Sequence, residues 1–148
     1  GAGRPGDLPV VQPAHLFDDR DVTAICWPDR AERCFPLRSL HDAGVRLALG
    51  SDAPVSPLDP WLELAAAVHR SDDEREPWNA PESLSPAQAL AASTGGQGTI
   101  DVGSVADLVV LDADPLPDAP DTAAAAATLR AMPVAATIVA GRVTHDAR

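Results

Sequence analysis

The chain has 148 residues, 45% of them apolar, and its 22 acidic against 11 basic side chains give a net charge of −11. That length holds one domain, or one domain and a piece of a second. The charge excludes nucleic acid and anionic membranes as electrostatic partners, and no apolar run reaches the roughly 18 residues a membrane-crossing helix needs.

The opening GAGRPGDLP lacks the regions of a secretion signal and has no initiator Met, as expected of a processed chain or a fragment. Leu8 to Val11 is a short apolar run stopped by Pro13, which predicts a short strand and then a loop carrying His15. The stretch FDDRDVTAICWPDRAERCFP, residues 17–36, reads as irregular, with one helical turn near Asp29 to Cys34. Cys26 and Cys34 belong to no CxxC and no Cys/His cluster. They read as ordinary thiols of a reducing compartment, and the expected location is cytoplasmic.

PLRSLHDAG predicts a helix, with Pro36 in the first turn, Leu37 and Leu40 on one face, and Gly44 just past the end. VRLALG follows as an apolar strand. Helix, glycine and strand together are half of an α/β unit. After a loop over 51–60, PWLELAAAVHR predicts a helix with Trp61, Leu64, Ala65 and Val68 on one face. A charged loop, SDDEREPWNAPES, leads to LSPAQALAASTGG, a helix with Ser85 as N-cap, Pro86 at its first position and Gly95-Gly96 at its end. Beyond Gly98 the character changes. A strand is predicted over Asp107 to Leu111, then an Ala-rich stretch that forms a short helix or a loose connector. VAATIVAGRVTHD closes the chain as a hairpin turning at Ala140-Gly141. The first two thirds read as α/β and the last third as β with turns.

Asp52, in LALGSDAPV, is the leading chemical candidate. Parallel α/β folds collect catalytic side chains at strand C-terminal ends. A carboxylate there can bind a metal and take a proton from its water. The alternative is a turn role, because Ser-Asp before Ala-Pro is ordinary Asx-turn chemistry. His15 follows the first strand and is the candidate for the substrate side of the same pocket. His41 and His69 fall in predicted helices as surface or packing groups, and His145 falls near the terminus. Ser51 lacks the second glycine of a GxSxG elbow. GGQGTIDVG precedes a strand instead of opening a helix, which excludes a phosphate loop.

GVRLALGSDAPVSPLDPWLELAAAVHR resembles the C-terminal part of the amidohydrolase superfamily. It is most similar to the branch that contains N-substituted formamide deformylase and the YtcJ-like metal-dependent hydrolases. LSPAQALAASTGG, GTIDVGSVADLVVLDADPL, VAATIVAGRVTH and VVQPAHLFDD resemble further segments of that family. The resemblance implies a (β/α)8 barrel carrying a small β-sandwich, with Asp52 on the last barrel strand as metal contact and general base. A full barrel needs about 250 residues. The family's HxH motif, its bridging Lys or Glu and its two middle-strand histidines are absent here, and Gly103-Ser104-Val105 replaces its Gly-Lys. The expectation is therefore residues 1–97 as the last strands and helices of the barrel and residues 98–148 as the C-terminal strands of the sandwich. The complete enzyme would use a divalent metal, zinc, to hydrolyse a C–N bond of a small amide-type molecule. This chain alone would hold the metal weakly, and would associate with a second copy or with the missing N-terminal part. The competing class is a standalone, non-enzymatic α/β binding or assembly module.

Overall fold

The computed structural model describes residues 9–95, 100–116 and 118–147. The expected strand residue Leu8, the second helix-ending glycine Gly96 and the boundary at 97/98 lie outside the described residues. Strand β1 (Val10–Val11) and strand β2 (Ala48–Leu49) pair in parallel, Val10 with Ala48 and Val11 with Leu49. Ala48 N–H donates to the Pro9 carbonyl and Gly50 N–H to the Val11 carbonyl, both at 2.9 Å. Gly50 eases this approach, since a Cβ there would meet Val10 Cγ1 at 3.0 Å, a tight contact.

The connection between the two strands carries a 3-10 turn (Pro13–His15), helix α1 (Leu16–Cys26), a second 3-10 turn (Pro28–Arg33) and helix α2 (Leu37–Asp42). Helix α1 corrects the irregular reading of this stretch. Its apolar residues do not form a stripe: Leu16 and Thr23 are buried while Val22 and Ile25 are exposed, so no 3.6-residue period shows. Asp18 and Asp19 in the first turn favour the helix through its dipole. The expected helical turn at 29–34 is present as the second 3-10 turn. The strand in VRLALG is confined to Ala48–Leu49, because its partner β1 offers only two residues to pair with.

Helix α3 (Pro60–His69) is the centre of the packing. Residues 63 to 68 are all buried, a helix covered on nearly every side. Asp59 caps it, Oδ1 accepting from Trp61 N–H at 2.9 Å and Leu62 N–H at 3.4 Å. Helix α4 (Pro86–Ser93) begins with the expected Ser85 cap, and Gln88 closes a reciprocal capping box with it. The Ala-rich stretch resolves as helix α5 (Thr122–Arg130), capped by Asp121 at Ala124 N–H, 2.8 Å. Leu64, Ala65 and Val68 of α3 share one core with Ala89 and Ala92 of α4 and with Ala125, Ala126 and Leu129 of α5. The low complexity of α5 thus has a packing reason: small side chains let it lie close against the alanines of α3.

Strands β3 (Leu108–Leu111), β4 (Val134–Val139) and β5 (Arg142–Asp146) form an antiparallel sheet in that order. The hairpin turns where expected. Ala140 and Gly141 have φ of 49° and 76°, the positive values a two-residue primed turn requires. Asp107 Oδ1 holds the turn by accepting Ala140 N–H at 2.7 Å. The architecture is mixed α/β, as expected.

Candidate active site

The chain leaves β1 through Gln12-Pro13-Ala14-His15 and leaves β2 through Gly50-Ser51-Asp52. Because the strands are parallel and in register, His15 and Asp52 depart from the same C-terminal edge. That is the side on which parallel α/β sheets assemble binding sites. The 25 residues between the end of β1 and helix α2 include α1 and the second 3-10 turn, an insertion on that same edge, roughly 20 residues longer than such connections usually are.

Asp52 is exposed and sits in the left-handed region at φ 56°. Its carbonyl accepts Val55 N–H at 2.9 Å, and Ser51 Oγ accepts Ala53 N–H at 3.3 Å. The turn is therefore closed by the Ser51 hydroxyl and a backbone carbonyl. The Asp52 carboxylate accepts no hydrogen bond among the described residues. An aspartate tolerates this backbone better than most residues, so the position accommodates a carboxylate that no local bond consumes.

His15 ends the first 3-10 turn instead of lying in an open loop. The residue is half-buried, and its Nε2 is fully buried with no partner among the described residues. Glu63, which the sequence reading passed over, lies 1% exposed on α3. Its Oε2 accepts Ala14 N–H at 3.0 Å, while its Oε1 is buried without a partner among the described residues. Burial pushes the Glu63 carboxyl above its usual 4.5, opposed by the Ala14 hydrogen bond and the His15 charge. One signal for it was in the sequence: a lone charge inside WLELAAAV, a helix otherwise apolar all round.

The other histidines do what was expected. His41 is exposed, its Nδ1 3.2 Å from Asp42 Oδ1. His69 Nδ1 lies 3.1 Å from Thr122 Oγ1, tying α3 to the start of α5, and His145 is exposed on β5. Cys26 and Cys34 are free thiols. A second buried charge was also missed. Arg70, with no exposure at all, donates Nε–H to the Trp78 carbonyl at 2.6 Å. It anchors the charged loop to α3, and burial lowers its pKa to about 10 despite the nearby Glu82.

Open grooves mark the surface of the described residues. One, of about 400 Å³, is lined by Trp27, Arg30, Arg33 and Cys34 on the inserted segment. Another, of about 260 Å³, is lined by residues that include Gly44 to Leu47, ahead of β2 and so at the end opposite Asp52. Asp52 and His15 are donor types suited to a divalent metal. Among the described residues, however, no three His, Cys, Asp or Glu side chains come together to hold one. The donor chemistry fits a metal and the donor number does not.

A family model described as the amidohydrolase family matches residues 7–145. YtcJ of Bacillus subtilis (strain 168) is 30% identical over 131 residues, which are 80% of this chain and 24% of YtcJ. N-substituted formamide deformylase of Arthrobacter pascens is 35% identical over 94 residues, 57% of this chain and 17% of that protein. LONG AFTER FAR-RED 3 of Arabidopsis thaliana is 33% identical over 126 residues, 74% of this chain and 22% of that protein. The chain thus spans about a quarter or less of the curated relatives it matches. A solved structure, an uncharacterized metal-dependent hydrolase from Pyrococcus horikoshii OT3, superposes with a TM-score of 0.51 at 24% identity. That superposition covers 59% of this chain and 18% of the other, and is a likeness of fold. A family match over almost the whole length identifies it: the chain belongs to the amidohydrolase family.

Proposed function

We propose that this chain is the C-terminal part of a metal-dependent amidohydrolase that hydrolyses the C–N bond of a small amide-type molecule. The observation that carries the reading is Asp52: a carboxylate delivered by an apolar strand to the C-terminal edge of a parallel pair, with the turn around it closed by other groups. Asp52 would contribute one ligand to a divalent metal, zinc, which would supply Lewis-acid chemistry when bound, and its carboxylate would accept a proton from the attacking water. The remaining ligands would come from outside this chain. His15 faces the substrate.

In this reading residues 1–97 are the last strands and helices of a (β/α)8 barrel and residues 98–148 the end of a small β-sandwich. Support comes from β1 and β2, a two-stranded parallel sheet in which Val10 is 57% exposed. Parallel sheets are ordinarily covered on both faces and extended at both edges. The chain therefore works joined to the N-terminal part of its protein, or in a homo-oligomer, in a reducing, cytoplasmic setting that suits its free thiols. Among the described residues no helix is long and apolar enough to cross a membrane.

The test uses the full-length protein that contains this chain. It is stripped with a chelator and assayed for amine release from a panel of N-alkyl formamides and acyl amides, before and after zinc is returned. Zinc-dependent amine release is expected. Release that survives chelation, or its absence across the panel from protein with a stoichiometric metal, overturns the proposal. The isolated 148-residue chain is expected to retain no stoichiometric zinc by mass spectrometry. Tight one-to-one zinc on the isolated chain supports the standalone-module alternative with a complete site of its own.

A further inference from the structure

Glu63 stands between Leu62 and Leu64 on the most deeply buried helix of the chain. An uncompensated carboxylate in such a place is strongly disfavoured. Only half of this one is compensated. Oε2 takes the Ala14 N–H at 3.0 Å, and Oε1 is buried with no partner among the described residues. The residue after Ala14 is His15, whose Nε2 is buried and equally unpartnered. The two orphaned atoms are chemically complementary. A carboxylate oxygen only accepts, and Nε2 donates in one of the two neutral tautomers of imidazole. They also belong to the two sides of one contact, since the backbone that carries His15 is the backbone that Glu63 already grips. The charged groups that act on Glu63 are His15, which favours its ionised form, and Asp59 at the start of the same helix, which opposes it.

We propose that Glu63 is a positioning residue for His15. One carboxylate oxygen fixes the Pro13–His15 turn through Ala14. The other accepts Nε2–H of the imidazole, directly after a side-chain rotation or through one water. This holds His15 in the Nε2–H tautomer and leaves Nδ1 as the unprotonated nitrogen, the arrangement by which a buried carboxylate orients a working histidine. The pairing itself is independent of the proposed hydrolysis. Its use, an acceptor nitrogen presented past the C-terminal end of β1, rests on that reading.

The experiment reads the histidine and not turnover. The full-length protein that contains this chain is labelled with 15N-histidine, and His15→Gln assigns the His15 resonances in long-range proton–nitrogen spectra near pH 8. Wild type is expected to show a single Nε2–H tautomer whose proton is protected from exchange and directly visible. In Glu63→Gln the amide oxygen keeps the Ala14 bond and the amide N–H2 now donates toward His15. The ring is expected to switch to the Nδ1–H tautomer with the far-ultraviolet spectrum unchanged. Identical His15 nitrogen shifts in wild type and Glu63→Gln overturn the proposal. If Glu63→Gln does not fold, the wild-type spectrum decides: a rapidly exchanging mixture of tautomers refutes the pairing, and a protected Nε2 proton supports it. Loss of the pairing leaves the chelation test of hydrolysis untouched, and failure of hydrolysis leaves the tautomer where it is.

Discussion

Replacing Asp52 with Asn separates a working carboxylate from a turn residue. The structure sets both magnitudes. The carboxylate accepts no hydrogen bond among the described residues, is exposed, and sits at φ 56°, where Asn is about as comfortable as Asp. The variant should therefore keep its folding free energy within about 0.5 kcal/mol, the range of a surface change away from special features. Removing the charge and the proton acceptor should cost at least ~100-fold in turnover, equivalent to about 2.7 kcal/mol on the barrier. Asp52→Ala serves as the control. It loses the same chemistry but also pays roughly 1 kcal/mol for an alanine in the left-handed region. The assay is amine release by the full-length protein alongside urea unfolding followed by Trp fluorescence. A normal rate for Asp52→Asn refutes the catalytic role. An unfolding penalty above about 1 kcal/mol would show instead that the side chain was holding the turn.

Arg70→Ala should destabilise the chain by about 3–5 kcal/mol, combining a cavity in a fully buried site with the loss of a charged hydrogen bond to the Trp78 carbonyl; a urea-unfolding difference below about 1 kcal/mol would refute this. His69 gives a pH dependence. Burial, and then the Arg130 charge, push its pKa below the usual 6.5. The unfolded chain therefore takes up its proton first as pH falls, so the stability His69 contributes is complete above 6.5 and lost progressively below it. His69→Gln should flatten the decline in urea midpoint between about pH 7 and pH 5, and an unchanged decline would count against the assignment.

Local chemistry was legible wherever the residues that decide it are neighbours in sequence. Ser85-Pro86 started α4, Ala140-Gly141 turned the hairpin, and Gly44 ended α2, because caps and turns are satisfied within a few residues of themselves. That Asp52 follows the end of an apolar strand was also legible, since an apolar run followed at once by a carboxylate is a local pattern. The mixed α/β class was legible in the helix, glycine and strand pattern of residues 36–50. Helix α1 was not legible: Val22 and Ile25 face outward, and only the contacts of Leu16 and Thr23 with distant segments say which side is in. The Ala-rich stretch stayed ambiguous until α3 supplied a surface of small residues for α5 to lie on. Glu63 and Arg70 show the limit most clearly. Their sequence neighbours mark them as charges on a helix and at its end. Their burial, and their bonds to Ala14 and Trp78, 49 and 8 residues away, exist only once the chain has folded back on α3. A polar side chain's role depends on what compensates its desolvation, and that partner is a tertiary fact.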